Sequence, residues 1–197
     1  MLDQALCDDL LAMAAEDEAT RARLVSEDAS FEGYHPELQM VHRRNAAELM
    51  AIVDAHGWPG RALVGDAGAE AAWRIAQNSI GEPHVMRRAV ALVREALKTG
   101  DVPGWHGASL IDRIRVFEGR PQVYGTQLDW DDQGAFGVVE LEDPAGVDAR
   151  RAALGLAPLA EQIARAREKE ASGYPGRDAV EAERSELAEW AKRTGWR

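Results

Sequence analysis

The apolar residues of this 197-residue chain recur at helical spacing almost throughout, and only between Gly119 and Leu141 do they alternate. A period near 3.6 buries one stripe of a helix, whereas a period of two builds a strand, so the change of period fixes where each element can form. The chain is therefore expected to be mainly α, a helical domain with one β-hairpin at about residues 121–141. The clearest stripe is "PHVMRRAVALVREALK", where Val85, Met86, Ala89, Val90, Val93, Ala96 and Leu97 share a face. It predicts a core helix over residues 83–98.

Breakers and caps place the other helices. They are expected at residues 2–24, 36–56, 67–79, 108–117, 147–154, 158–171 and 178–193. "SEDASFEGYHPE", "GWPG", "RALVGD", "TGDVPGWHG" and "SGYPGRD" read as connections. "PQVYGTQL" and "AFGVVEL" read as the two strands, joined by "DWDDQG". One domain spanning residues 1–197 is expected, with a helical core and hairpin at about 36–160 and a charged helical extension at about 158–197.

Charge and cysteine content narrow the function classes. A formal net charge of -11 repels phosphate at long range, so neither nucleic acid nor an anionic membrane surface is an expected partner. The single Cys7 excludes an intrachain disulfide and a cysteine-built metal centre, and a reducing cytoplasm fits it. No apolar run reaches membrane-spanning length, and the amino-terminal acids are unlike a secretory leader. The acids of "DWDDQGAFGVVE" approach a calcium loop, but Gln133 misses a ligand position and both flanks read as strand, so no metal is expected. No motif for an organic cofactor is present.

Polar residues that interrupt apolar stripes carry the functional reading, because a buried polar group is costly unless satisfied. Asn45 falls on the stripe of Leu38, Val41, Leu49 and Ile52, with His42 one turn earlier on the adjoining edge. It either ties down a nearby carbonyl or faces a ligand. Trp73 and Gln77 share a face, with Asn78 beside them. Arg113 sits among Leu110, Ile114 and Phe117, where a guanidinium needs a carboxylate or bound anion. If "PQVYGTQL" is a strand, Gln122, Tyr124, Thr126 and Leu128 share one face, while Val123, Gly125 and Gln127 share the other. These groups either line a polar pocket or brace the hairpin on the helices.

On Asn45, "HGWP", "VG" at Val64, "AQ" at Ala76, "DR" at Asp112, "GRPQVYGTQ", "EDP" and "RRAALGLAPL", the chain resembles an uncharacterised bacterial family, domain-of-unknown-function family 6624. The resemblance covers roughly residues 36–160. That family tends to carry a histidine where this chain has Asn78. The resemblance implies which residues matter and no activity.

Two functions are consistent with these residues. The first is a small cofactor-independent enzyme, of hydrolase, lyase or cyclase type, acting on a polar or anionic small molecule by general acid-base chemistry. Asp112 would be the acid or base and Tyr124 a hydroxyl donor; His42, Asn45, Trp73, Gln77, Asn78, Arg113, Gln122, Thr126 and Gln127 would bind the substrate. The alternative is a non-catalytic interaction or regulatory module that meets a basic partner through its acidic surface. A homodimer is compatible with either.

Overall fold

The computed structural model describes residues 2–27, 34–131, 133–138, 140–169 and 174–197. Residues 28–33 of the first connection, Asp132 and Val139 of the hairpin and residues 170–173 of the last connection lie outside them. Eight helices and one two-stranded antiparallel hairpin are present among the described residues. The protein is mainly α with one β-hairpin, and it divides into two compact units, Met1–Pro103 and Gly104–Arg197.

The first unit packs α1 (Gln4–Ser26), α2 (Pro36–His56), α3 (Arg61–Asn78) and α4 (Pro83–Lys98). Asp3 caps α1 by accepting from the Leu6 amide, and Pro36 opens α2 behind the N-cap residue His35. Leu10, Leu49, Ala72, Met86 and Val93 are fully enclosed at the centre. Alanines on α3 and Gly68 let helices approach closely: a Cβ at Gly68 would lie 3.1 Å from Cys7 Sγ. A methyl group has no room there.

The segment expected as the loop "RALVGD" is instead a helical turn that runs into α3 through a kink at Gly65, where φ is 72°. The cause is tertiary. The backbone carbonyl of Asp101 accepts from the Arg61 amide at 2.9 Å, and its carboxylate accepts from the Ala62 amide at 2.6 Å. Amides left over at a helix start find partners far away in sequence.

In the second unit, α5 (Gly104–Phe117) begins one turn before the expected residue 108. Gly104 permits it, since a Cβ there would collide with the Leu154 carbonyl, so close packing overrides the low helix propensity of glycine. Then come β1 (Asp129–Trp130), β2 (Phe136–Gly137), α6 (Val147–Ala153), α7 (Leu159–Lys169) and α8 (Arg177–Thr194). Trp190 and Trp196 of the last segment pack their rings 5.5 Å and 5.1 Å from Phe117.

The hairpin is shorter than its expected range. Asp129 pairs with Gly137 and Trp130 with Phe136. The outward carbonyls of this pair are taken by α7 and α8: Arg184 donates to the Trp130 carbonyl and Arg167 to the Phe136 carbonyl. "PQVYGTQL" joins it only through an isolated parallel bridge, Gln122 to Leu141. It is a folded loop rather than a strand, with Gly125 at φ 68°. The face-by-face alternation expected for residues 122–128 is therefore replaced by a different logic, described below.

Candidate functional site

A buried polar network is present in each unit. In the second, the network is organised by Asp112, which α5 carries on its buried face with no side-chain exposure. One carboxylate oxygen accepts from the Val123 amide at 2.7 Å and the Tyr124 amide at 3.1 Å. The other accepts from the Thr126 amide at 2.9 Å and its hydroxyl at 3.0 Å. Successive amides converge on one side chain, which is why the segment cannot also offer them to a neighbouring strand.

The carbonyls of the same loop are met from the other direction. Arg115 donates to Pro121, Arg150 to Val123 at 2.9 Å, and Arg151 to Tyr124 at 2.7 Å. Gln122 closes the loop on itself, donating to the Gln127 carbonyl at 2.8 Å and accepting from its amide at 2.9 Å. The Gln127 side chain donates to the Thr126 hydroxyl. Gly125 is required at the bend, since a Cβ there would lie 3.0 Å from Leu159 and Val138 in an already left-handed conformation.

Arg151 deserves its place beside Asp112. It is 1 % exposed, and its three donors reach the carbonyls of Ala157 and Tyr124 and the amide oxygen of Gln162. Burial pushes its guanidinium below the ordinary arginine range, and the negative charges of Asp148 and Asp112 oppose that. The Tyr124 residue thus bridges the two buried charges, its N–H to Asp112 and its C=O to Arg151. The Arg113 guanidinium lies 5.8 Å from the Phe117 ring centre. The Tyr124 side chain is half-buried.

The first unit's network is built on Asp17, His42 and Tyr34. His42 and Asp17, 5 % and 4 % exposed, face each other across α2 and α1 with Nε2 2.9 Å from Oδ1. The other ring nitrogen, Nδ1, lies 2.6 Å from the Tyr34 hydroxyl. Asn78, at the end of α3, donates to the second Asp17 oxygen, and the Arg21 guanidinium stands 3.8 Å from the first. Burial alone would raise the Asp17 carboxyl. The hydrogen bond and charge of His42, with Asn78 and Arg21 behind them, outweigh it, so the group is held below the usual carboxylate range.

An ionised Asp17 can only accept, so Nε2 carries a proton, and in the neutral imidazole the Nδ1 lone pair then receives the phenol proton. Tyr34 is placed for this by the start of α2. His35 caps the helix and Pro36 fixes its first turn, and the Tyr34 ring folds back with its centre 5.6 Å from the imidazole. Gly81 lies beneath the ring, where a Cβ would touch Tyr34 at 3.4 Å.

Tyr34 and His42 open on a cleft of about 120 Å³, lined also by Gln39, Arg43, Ser79, Gly81 and Glu82. Arg43 Nε is 3.4 Å from Glu82, so the two charges at the mouth offset each other. A shallower hollow of about 400 Å³ along α2 and α4 shares these two residues.

Of the residues singled out in the sequence, His42 and Asn78 meet through Asp17. Asn45 is separate: it donates to the Met13 carbonyl at 3.1 Å and accepts from Arg44 at 3.2 Å, tying α2 to α1. Gln77 is buried with its Oε1 unpartnered, and Trp73 is half-buried. Asp112, Gln122, Tyr124, Thr126 and Gln127 meet in the second unit. In the hairpin turn Asp131 accepts from the Gln133 and Ala135 amides, and among the described residues no three His, Cys, Asp or Glu side chains gather as a metal-holding group.

Asp17, Tyr34 and Arg151 were not anticipated. Asp17 had a legible signal, since Leu6, Leu10, Ala14 and Leu24 form a stripe that residue 17 continues. Tyr34 had none, because its role depends on a turn that brings it back over α2.

Fold and networks define a mainly helical protein with a short hairpin and no helix, among the described residues, long and apolar enough to cross a membrane. The chain belongs to the Family of unknown function (DUF6624), which it matches over residues 4–173. No curated protein and no solved structure matches it.

Proposed function

We propose that the protein is a small enzyme that acts on a polar small molecule by general acid-base chemistry, with Tyr34, His42 and Asp17 as its proton-handling groups. One observation carries this reading: a buried, hydrogen-bonded chain from carboxylate to imidazole to phenol ends at a polar cleft. As the phenol oxygen receives a proton from a substrate, its own proton passes to Nδ1, and the resulting imidazolium faces the Asp17 carboxylate. Proton transfer of this kind uses side chains alone and suits a hydrolase, lyase or cyclase. Gln39 and Arg43 are the groups at the mouth that can orient a substrate oxygen.

In this reading Asp112 is a positioning residue, because its lone pairs are already taken by the loop amides and the Thr126 hydroxyl. Tyr124 then contributes through its backbone. A cytoplasmic setting fits the single, buried Cys7.

The test is to incubate the protein and its His42→Asn variant with a small-molecule extract and follow every component by mass spectrometry. The expected outcome is at least one polar compound consumed by the unaltered protein and spared by the variant, with both melting cooperatively. Identical consumption profiles from two folded proteins would sink the proposal.

A further inference from the structure

We infer that Tyr34 is a nucleophile, and that the cleft takes the acyl group of a small ester or thioester onto its phenol oxygen. This rests on the acid-base reading above and adds a covalent step to it. Three features of the first unit support the inference together.

The phenol hydrogen bond to Nδ1, at 2.6 Å, is directed to a base that is itself oriented by a carboxylate at 2.9 Å. That is the arrangement that activates a hydroxyl for attack, with the base accepting the proton as the new bond forms. The half-buried Tyr34 also lines the cleft beside His42, while Asp17 stays buried behind them. Finally, Arg43 and Glu82, both lining the cleft, are paired, so their charges offset each other. The Glu82 carboxylate would oppose the negative charge of a phosphate ester, whereas a neutral ester brings none. The oxyanion formed on attack would find a donor in the Gln39 side-chain amide.

The step balances as follows. The Tyr34 oxygen attacks the carbonyl carbon and gives its proton to His42 Nδ1. The bond to the leaving alcohol or thiol breaks, and that group departs with the imidazolium proton. Water then cleaves the tyrosyl ester, restoring the phenol and releasing a carboxylic acid. An aryl ester is a competent intermediate because phenoxide leaves more readily than alkoxide.

The chain supplies its own controls, since it has three tyrosines, Tyr34, Tyr124 and Tyr174. Tyr174 is the exposed one, at 39 %. The intact protein is treated near neutral pH with p-nitrophenyl acetate, and separately with an aryl sulfonyl fluoride whose tyrosyl adduct does not hydrolyse; each tyrosine is then quantified by peptide mass. Tyr34 is expected to react about tenfold faster than Tyr174, the order opposite to exposure. Asp17→Asn should bring Tyr34 down to the rate of the other two while the protein still melts cooperatively, and His42→Gln serves if that variant does not fold. In denaturant the three should react alike.

Tyr174 reacting first overturns the inference, as does a Tyr34 rate unchanged in a folded Asp17→Asn protein. A phosphonyl fluoride that labels Tyr34 faster than the acyl and sulfonyl reagents overturns the acyl assignment. An inert Tyr34 in a protein whose substrate consumption still depends on His42 overturns the covalent step alone and leaves the acid-base reading in place.

Discussion

The network around Asp112 closes on itself, while the network around His42 ends at a cleft. Both are buried, both centre on an aspartate carried by a helix, and both join segments distant in sequence. They differ in where the donors go. Around Asp112 the amides of Val123, Tyr124 and Thr126, the Thr126 hydroxyl and the carbonyls of Pro121, Val123 and Tyr124 find side-chain partners within the network, and Arg151 completes it. Around His42 the chain of bonds runs Asp17, imidazole, phenol, and both Tyr34 and His42 line a cleft. A closed network holds a shape; an open one can pass a proton to something else.

The comparison is broken most severely at Asp112. Replacing it with alanine leaves the Val123, Tyr124 and Thr126 amides buried without acceptors and removes the charge that opposes Arg151, so a loss of about 3–5 kcal/mol is expected. Urea denaturation measures it. Arg151→Met keeps volume but strands three acceptors, and should cost about 2 kcal/mol. If either variant unfolds at the urea concentration of the unaltered protein, the loop is not held by these charges.

How far the sequence revealed this follows from the same contrast. Helix positions were legible because their stripes are local: α2 and α4 begin and end where capping and breakers place them. "PQVYGTQL" was misread as a strand for an instructive reason. Alternating apolar and polar residues suit a strand, but they also suit a loop whose amides turn toward one carboxylate, and only the partner eleven or more residues away distinguishes them. The first turn of α3 depends likewise on Asp101. Of the candidate site, His42, Gln122 and Thr126 were legible from their places beside or on expected apolar faces, whereas on α5 the residue that read as out of place was Arg113 and the buried one is Asp112. Asp17 looked like one more acid on an acidic helix, although its spacing put it on the buried stripe.

The open network predicts a pH effect with a definite sign. The folded state holds the Asp17 carboxyl below its unfolded value, ordinarily about 3.9. Its contribution to stability is therefore complete above about pH 4 and is lost as pH falls through the folded value. Asp131 and Asp143 are lowered too, by their own backbone and arginine partners, so the unaltered protein alone cannot isolate Asp17. The difference between the unaltered protein and Asp17→Asn can. Urea midpoints of the two should converge as the solution is acidified below pH 4; a constant gap would show that Asp17 is not held ionised by the fold.

The smallest effect on stability and the sharpest on function are expected from the same change, Tyr34→Phe. It removes one oxygen at the rim of the network, leaving Nδ1 of His42 without the phenol but beside a cleft that admits water. A loss of about 1 kcal/mol or less is expected in urea denaturation. Consumption of the substrate found with the small-molecule extract should nevertheless vanish, because the group that meets the substrate is gone while Asp17 and His42 remain paired. Thr126→Val makes the matching change in the closed network, deleting a hydroxyl bonded to Asp112 at 3.0 Å. There the expectation reverses: a loss of about 1–2 kcal/mol with turnover intact, since the fold is weakened but nothing that touches substrate is altered. If the two variants behave alike in both assays, the distinction between a brace and a reacting centre does not hold.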